Sequence, residues 1–287
     1  MVGDSALIKI NSAAAKALIE KIAEGIGGHF KPYQIKRVAK AEAEAEIIRA
    51  KAQIDIDKLQ RRAVARFIAE EARKQDIIEN ITRKAIPLLS ESATPKEMED
   101  DWVTNFFDKC RIISDDEMQV LWAKVLAGEA NSPGSFSKRT VNCLASLDKT
   151  DAESFASVCR FTWDVGFLCP LILEYEAKIY VENGVRFNTL KHLEDIELVN
   201  LESVVEFKMH RQPAVIVVKY HGNPLRIGFK KPDDNDLIIG HALFTKTGEQ
   251  LARICGVEPV DGFVDYAIER WRKKGLSVSS PSKEHSG

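Results

Sequence analysis

No apolar run in this chain approaches the ~20 residues that a membrane-spanning helix needs, and no secretory leader opens it. The expected compartment is the cytoplasm. Cysteine is scarce: Cys110, Cys143, Cys159, Cys169 and Cys255 are odd in number, scattered and set mostly among apolar neighbours. That pattern speaks for reduced core thiols and against a disulfide framework or a zinc site. A glycine-rich phosphate loop, a zinc-metalloprotease motif, paired cysteines and a nucleophile elbow are all missing. The six histidines are dispersed, with none at metal-ligand spacing. No catalytic residue, metal ligand or cofactor is therefore expected. Charge of one sign is lacking too, since 41 Lys+Arg stand against 43 Asp+Glu. No global field recruits nucleic acid or anionic lipid.

What is present is mostly helix-forming, and locally it is uneven. Residues 1–90 hold 17 basic and 12 acidic side chains, residues 91–160 hold 8 and 13, and the remainder 16 and 18. Leu18, Ile22 and Ile26 recur every four residues behind the cap candidates Asn11 and Ser12, which predicts a short amphipathic helix ending at Gly27-Gly28. Its polar face mixes Lys16 and Lys21 with Glu20 and Glu24, so packing on a partner helix is favoured over a membrane surface. Beyond Pro32, Gly and Pro vanish for some fifty residues rich in Ala, Glu, Lys and Arg, which predicts a long helix. Val38, Ala45, Ala52 and Leu59 form an imperfect heptad stripe, interrupted in its companion row by Asp55 and Arg62. Residues 1–90 thus read as a helical arm and possible coiled coil, a route to a homo-oligomer.

Three Ser/Thr-x-x-Glu boxes, Thr94 to Glu97, Ser114 to Glu117 and Thr150 to Glu153, mark helix starts. With a fourth helix near residues 137–147 they define a compact helical domain over 91–165. From residue 166 to 275 the texture changes to short helices and extended runs, VVEFKMH, AVIVVKYHGNPLRIGFK and DLIIGHALF, with helices again at KTGEQLARIC and FVDYAIERWRKKG. Helix, helix, hairpin is a winged-helix-like order. Its second helix would run over residues 188–198 and would offer Arg186, Lys191 and His192 to nucleic acid, against the acids Glu194, Asp195 and Glu197. Residues 276–287 read as a disordered, Ser-rich tail. The fold class expected is α+β, mostly α.

The acids Asp115, Asp116, Glu117 and Glu129, with Ser137 and Arg139, make the strongest case for an enzyme. A structural reading is simpler: Ser114 caps a helix, Glu117 sits in its first turn, Trp122 faces the core, Gly128 ends the helix and Pro133-Gly134 turns the chain. The pattern DDEMxxLWAxxLAGE, then PGSFSxRT and LxxLxKxxAE, resembles an uncharacterised bacterial domain-of-unknown-function family. GGxFxPxQI at Gly27 to Ile35 and LFTxxGEQLA at Leu243 to Ala252 extend the resemblance over most of the chain. The LWAKVLA core is more distantly similar to the Abi-alpha family, named for abortive infection. These resemblances imply a bacterial cytoplasmic protein encoded near mobile or phage-defence genes, and supply no catalytic residues. The leading expectation is a non-enzymatic, oligomerising interaction protein with a protein partner. Alternatives are a winged-helix nucleic-acid-binding regulator and an enzyme whose site is assembled from distant residues; peripheral membrane contact stays open.

Overall fold

A computed structural model describes residues 12–26 and 58–279. The heptad positions Val38, Ala45 and Ala52, the Gly27 to Ile35 motif and the tail from residue 280 lie outside the described residues. The chain folds into two compact units, residues 1–145 and 146–287, and is α+β, mostly α.

In the first unit α1 (Ala13–Ile26) opens with Ser12, whose hydroxyl accepts the Ala15 amide. It buries Ala14, Ala15, Leu18 and Ile22 against α3 (Asp100–Cys110), approaching so closely that a side chain at Gly25 would meet Val103. Between them in sequence runs α2 (Lys58–Ala85), whose C-terminal half buries Ile77, Ile78, Ile81 and Ala85. It packs on α4 (Asp116–Asn131), and α5 (Lys138–Ser146) follows. Trp102, Phe106 and Trp122 form the aromatic centre, with ring centroids 5.0–5.1 Å apart. Thr94 heads only a short 3-10 turn, and α3 starts at Glu99 without a side-chain cap.

The second unit begins with α6 (Lys149–Cys159), which the sequence grouped with the preceding helices. Its capping box is made by Asp148 and Asp151, two residues ahead of the Thr150 and Glu153 expected. After β1 (Thr162–Asp164) and β2 (Leu168–Pro170) come α7 (Lys178–Val181) and α8 (Phe187–Asp195). The strands β3 (Val199–Leu201), β4 (Phe207–Gln212), β5 (Val215–Tyr220), β6 (Asn223–Gly228), β7 (Asn235–Gly240) and β8 (Ala242–Phe244) follow. They pair as a nest: β5 with β6, β4 with β7, β3 with β8, all antiparallel. The innermost turn is His221-Gly222, both at positive φ, +44° and +82°, as a tight hairpin turn demands. The expected helices and antiparallel strands are present, but the first helix is the four-residue α7, α8 ends at Asp195 rather than residue 198, and β3 and β4 come before the β5–β6 hairpin.

Helices α9 (Lys246–Cys255), capped by Thr245, and α10 (Phe263–Lys273) lead to β9 (Ser277–Ser279). This last strand pairs with β6, so residues 277–279 are ordered where the sequence suggested tail. It completes a sheet of order β2-β1-β5-β6-β9. The sheet's inner face carries Trp163, Tyr220, Leu225, Ile227 and Val278, buried with Phe263 and Trp271 of α10. Tyr180 binds both the Leu173 amide and the Leu171 carbonyl through its buried hydroxyl.

Candidate functional site

The motif that carries the resemblance is built around a buried carboxylate. Glu129, on the last turn of α4, accepts the Gly134 amide at 2.6 Å on one oxygen and the Phe136 amide at 2.8 Å on the other. Phe136 is held from the other side by Trp102, whose indole N–H donates to its carbonyl at 2.6 Å. Burial pushes the Glu129 carboxyl above its ordinary value of 4.5, against the lowering effect of those amides. With main-chain donors on both oxygens, this carboxylate fastens a loop.

Two roles assigned from sequence shift. Asp115, not Ser114, is the N-cap, accepting the Met118 amide at 2.9 Å; Glu117 lies in the first turn as expected. Gly128 does not end the helix, because α4 continues to Asn131; it is a glycine because the Phe136 ring lies against it. Gly134 does turn the chain, at φ +87°. Trp122 is fully buried and Arg139 is exposed. Asp116 binds Lys84, so the C-terminal end of α2 meets the N-terminal end of α4 through an ion pair suited to both helix dipoles.

Helix α8 brings Arg186, Lys191 and His192 to the surface, yet two of the three are matched by acids. Lys191 pairs with Glu194 at 2.8 Å and Asp195 at 3.1 Å; the hydrogen bonds raise its pKa and lower that of Glu194. His192 Nε2 lies 2.6 Å from Asp151, the third-position member of the α6 capping box. Arg186 is the exposed N-cap and makes no side-chain cap. Docking α8 into a groove would place acids beside phosphates.

The feature that sequence reading missed lies on α2. In its C-terminal half Ile77, Ile78, Ile81 and Ala85 are buried, and the same face, followed back at helical spacing, carries Phe67, Ala63 and Leu59. Here the apolar side chains face solvent: Leu59 is 63% exposed, Phe67 62% and Val64 39%. The four-residue spacing Leu59-Ala63-Phe67 was legible, but a strict heptad read from Val38 puts Arg62 and Arg66 in the seam instead.

Among the described residues no group of three or more His, Cys, Asp or Glu side chains could hold a metal ion. No described helix is long and apolar enough to cross a membrane. The family model described as "Protein of unknown function (DUF2806)" matches residues 61–267, from the exposed half of α2 into α10. No curated protein and no solved structure matches the chain.

Proposed function

We propose that this chain, which belongs to the DUF2806 family of proteins of unknown function, is a non-enzymatic interaction protein that self-associates through its helical arm. One observation supports the reading above others: the apolar face buried in the C-terminal half of α2 gives way to the Lys74–Glu71 ion pair and then reappears, uncovered, as Phe67 and Leu59. Burying a side chain of this size is worth about 1.5–3 kcal/mol, so a partner helix covering Leu59, Val64 and Phe67 on each copy gains several kcal/mol. Light scattering across a concentration series tests it. Phe67→Glu with Leu59→Glu is expected to shift a dimer or higher oligomer toward monomer, and a wild-type chain that stays monomeric throughout overturns the proposal.

The rival reading, a regulator docking α8 on nucleic acid, is disfavoured by the acids that already hold Lys191 and His192. We extend the proposal to a phage-defence role in the bacterial cytoplasm on the Abi-alpha resemblance alone. Equal phage plaquing on strains with and without the gene would remove that extension and leave self-association standing.

A further inference from the structure

Within residues 207–231 the chain holds six Lys/Arg and not one Asp or Glu. These residues are β4, β5, β6 and their turns. All six cations, Lys208, Arg211, Lys219, Arg226, Lys230 and Lys231, are exposed. Among the described residues none of them makes an ion pair, whereas Lys178, Lys191, Arg253, Arg270, Lys273 and Lys274 of the same unit all do.

Their placement is ordered by the sheet. One face of the five-stranded sheet is buried beneath α10; the other is open. On it the register sets Arg226 opposite Val217 on one side and Ser279 on the other, with Lys219 diagonal to Arg226 on β5. Arg211, at the bulge near the end of β4, and Lys230-Lys231, in the turn after β6, flank segments tied together by main-chain bonds from Ala214 to Pro232 and from Phe229 to Ala214. The nearby acids are accounted for in part: Asp164, facing Lys219 in the register, accepts the Gly166 amide, and Asp236 binds His210. Asp233 and Asp234 follow Lys231 in the turn, and with Asp164 they are the local counter-charge.

We propose that this open sheet face and its adjoining turns bind the phosphate backbone of nucleic acid, without reading sequence. Six-residue strands span about 20 Å, enough to lie along about six phosphates of one strand. Lys, Arg and Ser are the side chains that make such contacts, and Ser277 and Ser279 stand exposed on the neighbouring strand. A membrane surface fits less well: it calls for Trp, Phe or Leu on the inserted face, and the exposed apolar side chains here are Val215 and Val217. The site differs from α8, whose cations are spent on acids of its own unit, and it does not depend on self-association.

The experiment is fluorescence anisotropy with a labelled short duplex of mixed sequence and a single strand of the same length, over a salt series on the full chain. Vesicles containing phosphatidylserine serve as a separate arm. Binding at low salt to either nucleic acid, falling linearly in log affinity with log salt, is expected. Lys219→Ser with Arg226→Ser should shrink that slope by about 2, and replacing all six cations should cost at least about tenfold in affinity. Arg186→Ser with Lys191→Ser should leave affinity within about twofold of wild type. All these positions are exposed, and unchanged circular dichroism and melting establish that the variants fold; if the six-site variant melts early, the two-site variant decides. The proposal is overturned by no binding at low salt, by binding confined to vesicles, or by affinity that follows the α8 variant and ignores the sheet variants.

Discussion

Gly128 and Phe136 are in such close contact that a Cβ on the glycine would lie 2.5 Å from the phenylalanine Cε2. Local propensity and packing therefore pull in opposite directions at this position. In a free helix, Gly→Ala gains about 1 kcal/mol. Here the added methyl must displace a buried ring whose main chain is held by Glu129 and Trp102, and overpacking of that kind costs about 1–3 kcal/mol. Gly128→Ala is expected to lower stability in urea unfolding; a gain would show that Phe136 yields freely.

Glu129 gives a pH dependence with a definite sign. Its folded pKa is raised above 4.5, so the folded state holds the proton more tightly than the unfolded state does. Its contribution to stability is complete below about pH 4.5 and is lost as pH rises through the folded value. Glu129→Gln removes that dependence, so the stability difference between wild type and variant should narrow as pH rises over this window. Paired unfolding curves at stepped pH check it, and a constant difference would contradict the raised value. Above that window the variant should still be less stable, by about 2 kcal/mol, because one amide of the loop then faces the glutamine NH2.

The cap of α4 can be assigned by two neighbouring substitutions. Asp115→Ala should cost about 0.5–2 kcal/mol, since it strips the Met118 amide of its acceptor. Ser114→Ala should stay within about 0.5 kcal/mol. Thermal unfolding of both suffices, and the reverse order of effects would return the cap to Ser114.

In the second unit Gly240→Ala should be among the most damaging single changes. Gly240 sits at φ +101°, and a Cβ there would lie 2.2 Å from the Ile172 carbonyl oxygen, the same oxygen that accepts the His241 amide. Backbone strain and a steric clash add at one position, for a loss of about 3 kcal/mol or more. Loss of the folded second unit's near-ultraviolet signal at lower temperature is the measurement; wild-type melting would mean that the strand relaxes around the methyl.

The helix positions and the mixed class were readable because they rest on periodicity and composition, as with Trp102, Phe106 and Trp122. Details that depend on one residue's three-dimensional neighbour were not. Ser114 and Asp115 are adjacent and equally able to cap, and only the path of the chain selects between them. A glycine required by a ring eight residues later looks the same in sequence as one that ends a helix. Three-residue strands such as Ser277–Ser279 are too short to show alternation, and they exist because β6 offers an edge. The acid-free run from 207 to 231 was visible in the letters, but a count of 16 against 18 over residues 161–287 averages it away. Conversely, the acids beside Lys191 were readable as its helical neighbours Glu194 and Asp195, whereas Asp151, which holds His192 from 41 residues away, was not.

The nest of strands also sets an order of assembly. β5 and β6 are joined by two residues, so their ends meet at small entropic cost. Once they zip, β4 and β7 are separated by short segments only, and β3 and β8 in turn by little more than the β4–β7 pair. Each ring of the nest shortens the loop that the next must close, so six strands assemble with the kinetics of local contacts although their outermost partners, Val199 and Phe244, are far apart in the chain. A lesion at His221-Gly222 would then slow the folding of the whole ladder, while one at Val199 would mainly hasten its unfolding.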